Sequence, residues 1–342
     1  MLRMFGITLS LLAFSSLTEA RFADEQSTNT SHASSMTSED ACLLATLASV
    51  SDDTPVSYVK SLCEKENESR ISKRIHLEKR AASNRFAILP HRPNYIMPVT
   101  VADVVKAPYI TDDFQLAEAD EYHDVETKFQ ISLKYLAWED VIFNDLDLLF
   151  AFTATSWWQS YNGDISAPFR ETNYEPEFIF GYNHRWSLLG LPVEYTYVSL
   201  NHQSNGQTGT LSRSWNRLIA GVVLEPTDNI TWGLRAWYRF DESAKDGVLD
   251  PKGDDNPNIE EYYGYGELSA LWHFSERNSL ELMLRNNLRK DNKGAIQLGW
   301  SFPISDKLFG YVEYFNGYGE SLIYYDQHIE RLGVGIKLTN WL

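Results

Sequence analysis

From Phe86 onward, apolar and polar residues alternate along the chain. Ile296, Leu298, Trp300, Phe302 and Ile304 take turns with Gln297, Gly299 and Ser301. The last segment sets Leu332, Val334, Ile336 and Leu338 against Gly333, Gly335, Lys337 and Thr339, and the final strand is expected to run out to Asn340, Trp341 and Leu342. A period of two puts one set of side chains on each face of a strand, so these segments are predicted strands with one apolar and one small or polar face. Clusters of Gly, Asn, Asp and Pro separate them. Either a soluble β-sandwich or a transmembrane barrel, alternating lipid-facing and lumen-facing residues, could be written this way. Strands of about ten residues with aromatics near their ends favour the barrel.

Upstream the pattern differs. Cys42, Leu43, Leu44 and Leu47 make a short helical stripe, and a Lys/Glu-rich helical pattern runs from Val59 to Arg80. Residues 21 to about 39 are Ser/Thr-rich and polar, a composition that cannot bury a core and is predicted to be disordered. The first twenty residues read as a secretory signal: Arg3, an apolar run from Ile7 to Phe14, and a small-residue cleavage site ending at Ala20. That run is too short for a spanning helix, which needs about 20 apolar residues, and no later stretch approaches that length. The expected organisation is a signal peptide over 1–20, a periplasmic extension over 21–85, partly helical and partly disordered, and an all-β barrel over 86–342. In an exported chain the two cysteines, Cys42 and Cys63, read as one disulfide closing a local loop.

Composition adds two constraints. The net charge is −17 with neither sign concentrated, which argues against nucleic acid as a partner. The chain holds 19 Tyr, 17 Phe and 10 Trp, an excess that suits a protein with two membrane interfaces.

Candidate chemistry lies in one hairpin. With Thr196 to Ser204 as a strand, the even positions are Thr196, Val198, Leu200, His202 and Ser204; in the next strand they are Asn216, Leu218, Ala220, Val222 and Leu224. The even face is the apolar one in both strands and should face lipid. The odd face, with Arg213, Trp215 and Arg217, should face a filled lumen. A turn symmetric about Gly209 sets His202 opposite Asn216 and Ser204 opposite Ser214, with directly opposed Cβ atoms about 4.5–5.5 Å apart. A hydroxyl, an imidazole and an amide in that order can serve as nucleophile, base and orienting group. By spacing alone, polar residues beside an Asn-Gly turn are equally ordinary loop chemistry.

The run from Tyr195 through Asn201-His202-Gln203-Ser204-Asn205-Gly206, then Ser212-Arg213-Ser214-Trp215-Asn216-Arg217, resembles the outer-membrane phospholipase A family. So do Pro168-Phe169-Arg170-Glu171-Thr172-Asn173-Tyr174-Glu175-Pro176, Asp254-Asp255-Asn256-Pro257 and Gly317-Tyr318-Gly319-Glu320-Ser321-Leu322-Ile323. The resemblance covers roughly 86–342. It implies a 12-stranded antiparallel transmembrane barrel in the outer membrane, with a site on its exterior that hydrolyses acyl esters of glycerophospholipids and lysophospholipids. Ser204 matches the nucleophile, His202 the base, Asn216 the orienting residue, and the Gly206 N–H an oxyanion donor.

The family also binds Ca2+ at a homodimer interface. The matching positions are the Ser212 hydroxyl and the Gln207 carbonyl from one subunit, with Ser166 from the other. Gln207 stands where the best-known member has an arginine, and Ala154 where it has a glutamine that contacts the partner across the dimer. Two further expectations accompany the resemblance. The acidic Asp246–Glu261 loop reads as a solvated surface turn, and the alternative to an enzyme is a non-enzymatic porin or scaffold barrel with an open lumen.

Overall fold

The structure is a computed structural model describing residues 38–48, 50, 54–56, 58–59, 69–103, 122–247, 250 and 253–339. The signal segment, the Ser/Thr-rich stretch, Cys63 and the last three residues lie outside that set. The described parts form two compact units, one ending at Asn67 and one starting at Glu68. Helix α1 (Ser38–Leu47) belongs to the first.

The second unit is a closed antiparallel barrel of 12 strands. In chain order these are β2 (Asn94–Ala102), β3 (Val125–Trp138), β4 (Leu146–Trp158), β5 (Phe169–Tyr182), β7 (Leu191–Ser204), β8 (Ser214–Thr227), β9 (Ile230–Arg239), β10 (Gly266–Ser275), β11 (Asn278–Asn286), β12 (Gly294–Pro303), β13 (Phe309–Tyr318) and β14 (His328–Thr339). Each pairs with its neighbour in sequence, and β14 closes onto β2, with Arg331 beside Ala102 and Lys337 beside Tyr95. Two short strands, β1 (Leu89–Pro90) on β3 and β6 (Trp186–Leu188) on β7, extend the sheet at one end.

The alternation predicted from sequence is the alternation of burial. Leu332, Val334 and Leu338 are about half exposed on the outside of β14, while Arg331 and Lys337 between them are fully buried. No helix among the described residues is long and apolar enough to cross a membrane. Aromatics gather at both rims. Trp272 packs on Phe274 and Trp300 on Phe302 at one end, and Trp158 on Phe169 and Tyr238 on Phe240 at the other.

The two ends differ. One has tight connections, such as Asp228–Asn229 between β8 and β9 and Glu276–Arg277 between β10 and β11. The other carries the longer loops, including 159–168, 205–213 and 240–265. Barrels of the outer membrane turn tightly on the periplasmic side and loop out on the external side, so the long-loop end is the outer one.

Helix α2 (Arg70–Ala82) sits at the tight-turn end. Ser69 caps it by accepting from the Ser72 N–H at 3.1 Å. The N–H groups of Arg70 and Ile71 in its first turn donate to the Glu225 carboxylate of β8, at 3.1 and 3.4 Å. Glu78 pairs with Lys134 of β3 at 2.7 Å, and Lys79 with Asp147 of β4 at 2.9 Å. These contacts tie α2 to the barrel, so the compact unit begins some twenty residues before Phe86, where the change of sequence character put the boundary. A Lys/Glu-rich helix reads as solvated when its partners, buried carboxylates and ammoniums on distant strands, are invisible.

The lumen is filled rather than open. Arg170 and Arg331 both pair with Glu126, and Lys128 pairs with Glu313, all at 2.7–2.8 Å. A second network joins Arg92, Glu175, Glu177, Asn201 and Arg217. A cavity of about 390 Å³ lies among these groups and the α2 side chains Ile71 and Ile75. The open lumen that a porin requires is absent among the described residues.

Candidate active site

Strands β7 and β8 hold the site because their backbone ladder fixes which residues oppose. The register sets His202 against Asn216 and Ser204 against Ser214, with Leu200 against Leu218 one step deeper. His202, Ser204 and Asn216 are half-buried at the outer end of a face whose other members, Val198, Leu200 and Leu218, are exposed to lipid. His202 Nδ1 and Asn216 Oδ1 are 2.8 Å apart. The other half of the Asn216 amide, Nδ2, donates to Glu242 Oε1, also at 2.8 Å.

These two contacts fix the protonation pattern. A carboxylate can only accept, so Nδ2 must face Glu242 and Oδ1 must face the imidazole. An amide oxygen can only accept in turn, so His202 carries its proton on Nδ1. In the neutral ring Nε2 then carries the lone pair, the state a general base needs. Among the described residues no hydrogen bond yet joins Ser204 Oγ to His202. Such contacts are often loose before substrate arrives.

Beyond Ser204 the chain turns sharply. Gly206 has φ +67°, and a Cβ there would lie 3.3 Å from the Tyr174 ring, so the position suits glycine on both counts. Tyr174 itself is the residue of β5 that opposes Ser204. Gly206 and Gln207 are exposed, but Asn205 between them and Ser204 is buried. Its amide donates to Leu211 O at 2.8 Å, and its Oδ1 accepts from the N–H groups of Gln207 at 3.2 Å and Arg213 at 3.0 Å. Asn205 is therefore the internal brace of the loop. The Asn-Gly signal marks a turn correctly but does not reveal that the asparagine is its core.

The distant motifs converge behind this brace. Asn205 also reaches Glu171, whose Oε1 accepts from the Ile323 N–H at 3.2 Å, and Asn173 Oδ1 accepts from Leu322 N–H at 2.9 Å. The Asp246–Glu261 loop, predicted as a solvated turn, instead reaches the site. Asp255 Oδ2 accepts from Ser212 Oγ at 2.7 Å and from Ser214 Oγ at 3.2 Å, while its other oxygen pairs with Lys245. Asn256 Oδ1 accepts from the Ser214 N–H, and Asp254 pairs with Arg239. Asp255 and Asp254 are thereby occupied by partners at the ends of β8 and β9.

Ser212 and Gln207 stand on the same β7–β8 loop, around a turn of 3₁₀ helix, Gly209–Leu211. Ser166 is on the β4–β5 loop with φ +63° and makes no hydrogen bond to either of them among the described residues. Two of the three predicted calcium ligands thus share one loop, and the third stands on another. No cluster of three His, Cys, Asp or Glu side chains suited to a metal occurs among the described residues. The hydroxyl and carbonyl oxygens of Ser212 and Gln207 nevertheless fit calcium, which takes hard oxygen donors, and the Asp255 carboxylate beside Ser212 adds negative charge there. Ala154 lies on the outer face of β4, opposite Tyr174 and so one strand further from Ser204.

A closed barrel with rim aromatics, a packed polar interior and an apolar outward face defines an outer-membrane β-barrel. The chain belongs to the phospholipase A1 family, whose model, described as Phospholipase A1, matches residues 71–338. It is 33% identical over 259 residues to Phospholipase A1 of Escherichia coli K12, spanning 75% of this chain and 83% of that protein. The Klebsiella pneumoniae Phospholipase A1 is as similar, at 33% with 84% of its length covered. Among solved structures, outer membrane phospholipase A from E. coli superposes with a TM-score of 0.65 at 31% identity, covering 76% of this chain and 94% of that one. The Salmonella typhi outer membrane phospholipase dimer with bound calcium gives 0.67 at 31% identity over the same shares. The protein is an outer-membrane phospholipase.

Proposed function

We propose that this phospholipase is calcium-dependent and works as a homodimer through a Ser204–His202–Asn216 triad on the barrel exterior. The observation that carries the reading is the 2.8 Å contact between His202 Nδ1 and Asn216 Oδ1, which in the neutral imidazole leaves the Nε2 lone pair free to take a proton. Ser204 Oγ attacks the acyl carbonyl of a glycerophospholipid or lysophospholipid while its proton passes to Nε2. The carbonyl oxygen, now an oxyanion, is stabilised by the Gly206 N–H. Collapse breaks the ester bond, and the imidazolium returns the proton to the departing glycerol oxygen. Water then releases the fatty acid from acyl-Ser204 by the same proton path in reverse. An asparagine suits the third place, because it orients the ring without setting a carboxylate against it at the lipid boundary.

The Ser212 hydroxyl and Gln207 carbonyl would hold Ca2+ together with Ser166 of a second copy. The ion would supply positive charge beside the developing oxyanion. Ala154, small and outward on β4, lets the second copy approach closely but offers no polar contact to hold it.

The test is hydrolysis of a phospholipid by detergent-solubilised protein. Ser204→Ala is expected to lower kcat by at least about 10³-fold with the folded barrel's gel mobility unchanged. EDTA should abolish activity and chemical crosslinking of the dimer together, and added calcium should restore both. Full activity in Ser204→Ala would overturn the triad; activity indifferent to EDTA would overturn the calcium reading alone.

A further inference from the structure

We infer that Glu242 is a positioning residue of this enzyme, the fourth member of a relay Ser204–His202–Asn216–Glu242; the inference rests on the triad reading above. Strand β9 formally ends at Arg239, but the ladder continues, since the Phe240 N–H donates to the Asn216 carbonyl at 2.9 Å. Phe240 is thus the neighbour of Asn216, and Glu242, two residues on, returns to the same outward face as Tyr238 and Phe240. There its carboxylate accepts from Asn216 Nδ2 at 2.8 Å.

A half-buried carboxylate on the lipid-facing side of a barrel is costly to keep. Among the described residues Glu242 forms no ion pair to offset that cost. The nearby ammonium of Lys245 is engaged by Asp255 instead. The donor that Glu242 does meet is the Asn216 amide.

The reason such a group is useful lies in the symmetry of an amide. An asparagine side chain fits its site in either of two orientations, exchanging Oδ1 and Nδ2. With Nδ2 toward His202, Nδ1 would have to accept, the imidazole proton would sit on Nε2, and Ser204 would face a donor instead of a base. Glu242 rules out that orientation, because it would set Oδ1 against a carboxylate, acceptor against acceptor. The charge also polarises the amide, strengthening the hold of Oδ1 on the Nδ1 proton. The carboxylate that a Ser-His-Asp triad places directly on the imidazole stands here one residue further back.

The experiment is a double-mutant cycle on the full-length protein in detergent micelles with calcium, reading kcat and KM separately. Glu242→Ala is expected to lower kcat about tenfold, the scale for losing an orienting partner behind a reacting group, with KM unchanged. Glu242→Gln, whose Oε1 can still accept from Nδ2 but whose Nε2 can also donate to a flipped Oδ1, should recover only part of that loss. In an Asn216→Ala background neither Glu242 substitution should change kcat further. A wild-type kcat in Glu242→Ala would overturn the inference, as would an equal loss of kcat in the Asn216→Ala background. Ser204→Ala, measured alongside, separates the two levels. If it is inactive while Glu242→Ala is unimpaired, the relay fails and the triad stands; if it is active, the triad itself fails.

Discussion

The β7–β8 hairpin has two faces that could hardly be less alike. Inside the barrel, Asn201, Gln203, Trp215 and Arg217 are locked. Trp215 Nε1 donates to Gln203 Oε1 at 2.8 Å, Arg217 holds Asn201 Oδ1 at 2.8 Å and Glu175 at 3.1 Å, and the Arg217 guanidinium stacks on the Trp215 ring. Outside, His202 and Asn216 share one bond, and Ser204 waits without a hydrogen-bond partner among the described residues. Because side chains alternate along a strand, each chemical residue is next in sequence to a residue fixed in the interior. Rigidity is supplied from one face and reactivity is displayed on the other, and the outer groups need few bonds of their own to stay in place.

If that division holds, breaking the inner face should damage stability and activity together. Arg217→Met leaves Glu175 held by Arg92 alone and takes the donor from the buried Asn201 Oδ1, so it is expected to cost about 1–3 kcal/mol, seen as a fall in the urea midpoint with a parallel loss of hydrolysis. An undiminished midpoint would show that the interior network is not what holds the hairpin.

Acid should act on the interior in the same direction. Burial alone would raise the Glu320 carboxyl, but the Arg331 and Lys128 charges outweigh it and hold it down at about 2, against its ordinary 4.5. A depressed carboxylate contributes its stability in full above the unfolded value and loses it as pH falls toward the folded one. The contribution, on the order of 3 kcal/mol, is therefore complete above about pH 5 and fades between 4.5 and 2. Urea midpoints of wild type and Glu320→Gln should differ at pH 6 and converge near pH 2.

The outer face should respond in the opposite sense. Asn216→Ala is expected to lower kcat about 10²-fold, within the range for a general base that has lost its orientation, while the midpoint stays that of wild type. A midpoint drop comparable to that of Arg217→Met would mean the two faces are not separable.

What could be read beforehand followed the same line. Strand parity and a turn centred on Gly209 were enough to set His202 against Asn216 and to place both outside, because a period of two leaves no third option. The residues that hold them came from elsewhere in the chain. Glu242 reaches Asn216 across 26 positions and Asp255 reaches Ser212 across 43, from a loop with no periodicity to reveal which way its side chains turn. Its run of acids resembles a solvated turn because composition records charge but not partners. The helical pattern of α2 was legible, but its docking was not, for a related reason. Glu78 and Lys79 look like surface residues until Lys134 and Asp147 are brought to them by strands more than fifty residues away.

The seam between β2 and β14 also sets the order in which the molecule can become an enzyme. The hairpin that carries His202 and Asn216 separates them by only 14 positions, so its pairing is local. The interior wall closes across the seam, where Arg331 donates to Thr100 over 231 positions. Such distant pairings form late, after the entropy of closing a very long loop has been overcome. A chain in transit to the membrane can therefore carry the hairpin without the rigid backing that aligns it. The lipase becomes dangerous to lipids only when the last strand has found the first.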